Sequence, residues 1–416
     1  MKVLIKNATI VSSTNNNDPT DILIENGIIT DIQRSITKTA DHIIERNNLH
    51  VSSGWMDFFA NFCDPGSEYK ETLETGARAA AAGGFTSVMV IPNTSPVVYN
   101  KSQVEYVVQK SRDLPVAIYP IGAITNNAEG KELNEMYDMH SSGAIGFSDG
   151  TNSLQSSGMM LKALEYVKAI NGMIIQLPDD KNIGSHGLMN EGIVSTRLGL
   201  PGKAAIAEEI LIARDIELLK YTGSKLHITG ISTKRSLDLI KKAKEEGCNI
   251  SCSVTPYHLF FCDEDLLDYD TNLKVNPPLR TRMDMLSLRE GLVKGTIDFI
   301  ASHHQPHDWD NKTCEFEYAK NGMIGLESMF GVLGAIGCSP ELFVKMQTTN
   351  IRKLFNLPVS EIKKGEKANL TLFDPESSYL FTEDHIYSKS KNTPMPGKKL
   401  KGLAFGIING DKLLLN

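Results

Sequence analysis

The chain has 416 residues and a formal net charge of -7, with 41% hydrophobic and 22% charged residues. This composition is typical of a soluble globular protein. Because no dense run of lysine and arginine occurs, we expect neither nucleic acid nor an anionic membrane surface as a partner. No window of the sequence approaches the roughly 18 apolar residues of a membrane span.

The N-terminal run MKVLIKNATIVSS is broken early by Lys6 and Asn7, which is atypical of a signal peptide. Six cysteines in a chain of this length do not form a disulfide framework. The closest pair, Cys248 and Cys252, lacks the two-residue gap of a zinc knuckle or redox motif. We therefore expect reduced thiols and a cytoplasmic protein.

Both ends of the chain carry short strand patterns. The segments KVLIKNATIV and DILIENGIITDIQ alternate apolar and polar residues, and Asn26-Gly27 is a hairpin turn signal. The segments KANLTLFDP and KGLAFGIINGDKLLLN have the same pattern, with a second turn signal at Asn409-Gly410. We predict one small β-sandwich domain built from residues 1–52 and 351–416.

The middle of the chain, residues 53–350, alternates strands with helices. One clear helix is STKRSLDLIKKAKEEG, which Ser232 or Thr233 can cap and Gly247 ends. Eight apolar runs are typical of buried parallel strands covered by helices. These runs are Trp55–Phe62, Thr86–Pro92, Val116–Thr125, Ile145–Asp149, Met173–Pro178, Lys225–Ser232, Asn249–Pro256 and Asp298–His304.

Eight strand–helix units predict an α/β fold, the (β/α)8 TIM barrel, with any chemistry at the C-terminal ends of the strands. The alternative is an open doubly wound sheet, but no GxGxxG motif follows the first strand to favour it.

Several stretches match a known family in order along the chain. They are DPGSEYKETLETGARAAAAGGFTSVMVIPNTSPV, MNEGIVSTRLGLPGKAAIAEE, TPYHLFF, NLKVNPPLRT, GTIDFIASHHQPH, MIGLES and KGEKANLTLFDP. Through them nearly the whole chain resembles the dihydroorotases of the cyclic amidohydrolase superfamily, of the type that works with aspartate transcarbamoylase. The resemblance implies a place in pyrimidine biosynthesis.

The family holds one or two zinc ions at the barrel mouth, with ligands after strands 1, 4, 5, 6 and 8. The last ligand, an aspartate, is also the general base. The corresponding positions here are Phe59, Asn61, Asp149 (or its neighbour Gly150), Gln176, Gly230 and His303. At most one expected ligand survives, whereas a zinc site needs at least three protein ligands. The resemblance therefore implies a degenerate site with no zinc and no other cofactor.

Loss of the metal removes the chemistry of the family. Zinc lowers the pKa of water from 15.7 to about 7, which corresponds to roughly 12 kcal/mol of nucleophile generation. No single histidine replaces that contribution, so we expect the original hydrolysis to be absent.

Other polar residues near the predicted mouth have two interpretations each. His303, His304 and His307 could form a new metal site, or His303 could fill the emptied mouth together with Phe59. Asp149 could be a lone ligand, although a cap on the next helix or turn is the commoner role. Cys63, which replaces the family's substrate-binding arginine, could be a nucleophile, but no base is evident. His227 and His258 are expected to be hydrogen-bonded core residues.

Three residues match substrate contacts of the family. Asn93 and His307 correspond to residues that contact the substrate carboxylate, and Asn276 to one near the pyrimidine ring. The remnant pocket could therefore bind a small acid or cyclic amide weakly, or these residues could be kept for structure alone.

Three hypotheses follow from the resemblance. The first is a non-catalytic homologue that serves as a structural or regulatory partner of aspartate transcarbamoylase and forms homo-oligomers. The second is an active dihydroorotase, or a related cyclic-amide hydrolase, with a metal site rebuilt from Asp149, His303, His304 and His307. The third is a small-molecule sensor that uses the remnant pocket.

Overall fold

The computed structural model describes residues 1–12 and 19–416. Its strands are β1 (Lys2–Ile10), β2 (Thr20–Glu25), β3 (Ile28–Gln33), β4 (His42–Glu45), β5 (His50–Ser53), β6 (Trp55–Ala60), β7 (Phe85–Val90), β8 (Ala117–Pro120), β9 (Ile174–Gln176), β10 (Met189–Asn190), β11 (Gly202–Lys203), β12 (Leu226–Ile228), β13 (Ile250–Val254), β14 (Phe299–Ile300), β15 (Asn369–Leu380), β16 (Lys399–Asn409) and β17 (Lys412–Leu415).

The α-helices are α1 (Leu73–Ala82), α2 (Lys101–Ser111), α3 (Met136–Ser141), α4 (Ser157–Lys168), α5 (Ile193–Leu198), α6 (Ile206–Thr222), α7 (Lys234–Glu245), α8 (Pro256–Phe260), α9 (Arg282–Val293), α10 (Met329–Ala335), α11 (Pro340–Lys345) and α12 (Ile351–Leu354). Within the described part of the chain, none of these helices combines the length and apolarity that crossing a membrane requires.

The two ends of the chain form one eight-stranded sheet. Its order is β17-β16-β15-β5-β1-β2-β3, and β4 pairs with β1. The predicted hairpin at Asn26-Gly27 is confirmed, since it joins the antiparallel strands β2 and β3 with positive φ at both residues. A Cβ at Gly27 would lie 2.8 Å from the carbonyl carbon of Gly410, so only glycine allows the two hairpin turns to pack together.

The middle of the chain forms a closed parallel barrel. Strands β6, β7 and β8 pair in sequence order, as do β9, β12, β13 and β14. Phe147 bridges the two sheets through Gly122 and Ile174. The barrel closes where the Asn61 N–H donates to the carbonyl of His304 at 2.8 Å. The predicted TIM barrel with a β-domain from both chain ends is confirmed, while the boundaries at residues 52 and 350 stay predictions.

The fourth barrel strand is shorter than its sequence pattern indicates. The run Ile145–Asp149 contributes one bridging residue, Phe147, instead of a full strand. Glycines surround this residue, and both Gly143 and Gly150 have positive φ. Glycine weakens extended structure, so the chain turns immediately on either side of the bridge.

Helix α7 forms as its sequence predicts. The side chain of Thr233 accepts a hydrogen bond from the Ser236 N–H at the start of the helix. Leu237 and Ile240 are buried on one face against the barrel. Of the two predicted caps, Thr233 is therefore the one that acts.

An aromatic cluster joins the barrel to the terminal sheet. Trp55 in β6 is fully buried, with ring centroids 4.8 Å from Phe330, 4.8 Å from Phe343 and 5.2 Å from Phe373 of β15. Its indole N–H donates to Ser52 Oγ at 2.8 Å, which satisfies the one polar group of the ring. The first barrel strand is thus fixed to the C-terminal part of the sheet.

Trp55→Ala is expected to lower the free energy of unfolding by about 3–5 kcal/mol, because it removes a buried indole from this cluster. The control is Tyr221→Ala, since Tyr221 is 77% exposed, and we expect a change below about 0.5 kcal/mol. Urea denaturation followed by circular dichroism measures both. Equal losses for the two variants would contradict the anchoring role of Trp55.

Candidate functional site

A phenylalanine lies one residue before the end of the first barrel strand, at the mouth. Phe59 is 3% exposed and has a φ of 65°, a conformation that is rare for a bulky residue. Its ring centroid lies 4.6 Å from that of His303, with the planes 33° apart. The two rings fill the space between the ends of the first and eighth strands.

A hydrogen bond to Thr229, which follows β12, holds His303 in this position. Its Nε2 is 2.8 Å from the hydroxyl of Thr229, and its φ is 45°. A Cβ at Gly230 would lie 2.7 Å from His303 Cε1, so the absence of a side chain at Gly230 makes room for the imidazole. Burial lowers the pKa of His303 to about 3, and the ring is therefore neutral.

Asn61 and Cys63, in the loop after the first strand, bond to each other within that loop. Asn61 Oδ1 accepts a hydrogen bond from the Cys63 N–H at 2.8 Å. Cys63 is 4% exposed, and burial raises the pKa of its thiol to about 12. The thiol stays protonated at neutral pH, which disfavours the alternative of a cysteine nucleophile.

Asp149 connects two loops at the mouth. Its carboxylate accepts hydrogen bonds from the Thr125 N–H, at 2.9 Å, and from the Thr125 hydroxyl. Burial raises the pKa of Asp149 to about 6. The expected role of Asp149 as a cap on the next helix or turn is not what its side chain does, because its partner Thr125 precedes it, in the loop after β8.

Gln176, at the end of β9, is engaged with the backbone of Leu154. Its Oε1 accepts from the Leu154 N–H at 3.2 Å, and its Nε2 donates to the Leu154 carbonyl at 3.4 Å. Both ends of the amide are therefore used in holding the loop after the fourth strand position.

The five histidines that the sequence singles out inside the barrel have separate partners. His303 bonds Thr229, whereas His304 is fully buried with Nε2 3.6 Å from Glu71 Oε2. The other pairs are His307 with Asn321, His227 with Ser251 and Ser253, and His258 with Thr255, Pro277 and Pro278. His227 and His258 are thus hydrogen-bonded in the core, and His303, His304 and His307 do not share a partner.

The residues at these positions do not fit a zinc ion. They offer a phenyl ring, two amides already bound to backbone groups, a glycine, a neutral imidazole and one carboxylate. In residues 1–12 and 19–416, no group of three or more His, Cys, Asp or Glu side chains is arranged to hold a metal. Zinc in proteins prefers thiolate, imidazole and carboxylate ligands and needs at least three of them from the protein, whereas these positions offer one imidazole and one carboxylate.

The three predicted substrate contacts lie in three separate hydrogen-bond groups. Asn93 Nδ2 donates to the Asp149 carbonyl at 3.1 Å, and Asn276 Oδ1 accepts from Lys203 Nζ at 2.8 Å. His307 Nε2 donates to the Asn321 carbonyl at 2.9 Å, and burial lowers the pKa of His307 to about 4. In this neutral tautomer Nδ1 has a lone pair and no proton, which is unfavourable for a carboxylate ligand.

A large cleft beside the mouth was missed by the sequence analysis. It has a volume of about 1110 Å³ and is bounded by Tyr69 and by residues 269–272, 307–315 and 389–392. The last segment belongs to the C-terminal part of the chain and binds Glu71, whose carboxylate accepts from the Lys389 N–H at 3.3 Å. No local sequence signal could have joined segments that lie more than 300 residues apart, although the loop HDWDNKTCEFEYAKNG stands out in composition.

Solved structures with the same fold include cyclic amide hydrolases. L-Hydantoinase (dihydropyrimidinase) from Arthrobacter aurescens superimposes with a TM-score of 0.87 at 22% identity, covering 100% of this chain and 96% of the other. Dihydropyrimidinase from Brevibacillus agri gives 0.84 at 19% identity, covering 100% and 95%. At these identities the likeness defines the fold, a TIM barrel with a β-sandwich domain.

Comparison with sequence relatives identifies the family of this chain. The model of the Dihydro-orotase-like family matches residues 50–236. The dihydroorotase of Pelotomaculum thermopropionicum is 39% identical over 100% of this chain and 99% of its own length. The dihydroorotase of Acetivibrio thermocellus is also 39% identical, over 98% of each chain. This chain belongs to the dihydroorotase family.

The buried His303 predicts a specific dependence of stability on pH. Its pKa is about 3 in the folded protein and 6.5 in the unfolded chain, so folding is penalised as the pH falls below 6.5. Relative to His303→Asn, which does not titrate, the wild type is expected to lose about 2 kcal/mol of unfolding free energy between about pH 7.5 and about pH 5. Urea denaturation at several pH values measures this difference. A difference that is constant with pH would contradict the burial of a neutral imidazole.

Proposed function

We propose that this chain is a non-hydrolysing member of the dihydroorotase family that acts in pyrimidine biosynthesis as a structural or regulatory partner of aspartate transcarbamoylase. The observation that supports the absence of hydrolysis is the filled barrel mouth. Phe59 and His303 pack together where the family has metal ligands, and His303 occupies the space above Gly230.

The physical argument concerns the source of the nucleophile. Opening a cyclic amide at neutral pH requires a hydroxide equivalent and a group that polarises the carbonyl. The side chains at the mouth supply neither. His303 has a pKa of about 3, so its imidazole is a weak base and carries no charge that could polarise a carbonyl. Asn61 and Gln176 are engaged with backbone groups, and Cys63 is a protonated thiol. Asp149 alone retains a carboxylate, and its oxygens are bound to Thr125.

The names of the relatives favour a second candidate function, an active dihydroorotase. Proteins 39% identical over the whole chain carry that name. A rebuilt metal site would need Asp149, His303, His304 and His307 to converge. Their hydrogen-bond partners lie in different places, and His304 is fully buried against Glu71. We therefore favour the first function.

The proposed partner rests on the resemblance to dihydroorotases that work with aspartate transcarbamoylase. A barrel that lacks metal ligands but keeps its fold also keeps its outer surface. That surface can bind a partner protein, and the function of the chain then depends on it. Homo-oligomerisation and a cytoplasmic location belong to the same proposal.

The first test joins metal analysis with an activity assay. Protein purified without chelator and then supplied with zinc is expected to bind less than about 0.1 zinc per chain, because the donor set is incomplete. Dihydroorotate hydrolysis is expected to be at least about 10⁴-fold slower than for the Pelotomaculum thermopropionicum relative, which serves as the control. Stoichiometric zinc together with turnover that a chelator abolishes would establish the second candidate instead.

The second test addresses the partner. Mixed with aspartate transcarbamoylase from the same organism, the chain is expected to co-elute with it in size-exclusion chromatography and to change its specific activity. An unrelated TIM-barrel protein of similar size is the control. Separate elution at micromolar concentrations, with unchanged transferase activity, would refute the partner role and leave the proposal about hydrolysis intact.

A further inference from the structure

The large cleft beside the barrel mouth is separate from the positions that the family uses for metal. Of the nine residues that the resemblance assigns to metal or substrate, only His307 lines it. Its volume of about 1110 Å³ is at the upper end of the range for small-molecule sites. The cleft therefore remains open although the mouth is filled.

Three lysines line this cleft without forming an ion pair with any described carboxylate. Lys312 Nζ donates to the backbone carbonyls of Thr271 and Lys320, each at 2.8 Å. Lys389 Nζ donates to the carbonyl of Glu68 at 2.7 Å, and Lys391 Nζ bonds the backbone of its own segment, at the carbonyl of residue 386, 2.6 Å away. An ammonium has three N–H donors, so each lysine keeps at least one for a ligand.

Neighbouring positive charges lower the pKa of groups in this region. Burial, together with the nearby charge of Lys274, lowers the pKa of Lys312 to about 7. Lys274 Nζ donates to the carbonyls of Phe316 and Glu317 and lies 5.3 Å from the ring centroid of Phe316. Lys312 and Lys70 add to the effect of burial on His307. Cations that are buried or clustered without carboxylate partners form a site that an anion stabilises.

Three carboxylates lie on the cleft wall, those of Asp270, Asp308 and Glu315, and the first two hold its loops. Asp270 Oδ1 accepts from the Asn272 N–H at 2.9 Å, and Asp308 Oδ1 accepts from Asn311 Nδ2. In formal charge the three carboxylates balance the three lysines, but the carboxylates of Asp270 and Asp308 are already engaged, whereas each lysine keeps an N–H donor. The polar part of the cleft thus favours an anionic group over a cationic one.

Three aromatic side chains also line the cleft, and each is exposed to solvent. Trp309 is 74% exposed, Tyr69 is 61% exposed and Tyr269 is 45% exposed, and all three line the cleft. A planar heterocycle can stack on such rings at about 1–3 kcal/mol per base. A lysine ammonium is well suited to a phosphate.

We propose that this cleft binds a nucleoside phosphate, with the base stacked on the exposed aromatic side chains and the phosphates against Lys389, Lys391 and Lys312. The inference goes beyond the proposed function and depends on neither the loss of hydrolysis nor the identity of a protein partner.

The test uses the full chain with ATP and UTP as probes, in buffer without divalent cations. At about 1 mM, at least one of the two is expected to raise the Tm by about 3 °C. Calorimetry is expected to give at least about tenfold weaker binding for uridine or adenosine, which lack phosphate, and for tripolyphosphate, which lacks a base. Affinity is also expected to fall as salt is raised, because screening weakens the lysine contacts.

Variants locate the site. Trp309→Ala and the double variant Lys389→Ala/Lys391→Ala are each expected to weaken nucleotide binding at least about tenfold. Lys345→Ala/Lys353→Ala is the matched control, since these lysines are exposed and do not line the cleft. Binding that both cleft variants retain, equal binding of tripolyphosphate and nucleotide, or no binding of either nucleotide would each overturn the proposal. None of these results bears on zinc content or on co-elution with the transferase.

Discussion

The contact between Phe59 and His303 decides what the mouth of this barrel can do. The rings lie 4.6 Å apart between centroids, Thr229 fixes the imidazole, and Gly230 leaves the space it occupies. Close packing of this kind leaves little room for a hydrated ion, and it replaces charged ligands by apolar contact. Both Phe59 and His303 adopt positive φ, so the surrounding structure enforces a backbone conformation that these residues disfavour.

The barrel has a source of stability that lies away from its mouth. Its strands are buried apolar segments covered by helices, and Trp55 joins the first strand to the terminal sheet through Phe373. The aromatic contacts of Trp55 involve none of the positions that the family uses for metal. Fold and activity are therefore separable, because the fold does not depend on whether the mouth holds a metal.

The barrel and the sheet were predictable because they depend on local patterns. Apolar runs mark buried strands, and Asn26-Gly27 marks a hairpin. The fourth strand was overestimated because its apolar residues lie among glycines that turn the chain. The role of Asp149 was missed because its partner, Thr125, is on a different loop. Likewise, the cleft arises from segments brought together only by the fold, so its lysines carried no local signal.

The central claim is that the mouth contains packed side chains in place of a metal centre. Crystals grown with excess zinc and measured at the zinc absorption edge test it most directly. The account predicts no anomalous peak within bonding distance of Asn61, Asp149 or Gln176, with the Phe59 ring against His303. A strong peak there, coordinated by protein side chains, would contradict it.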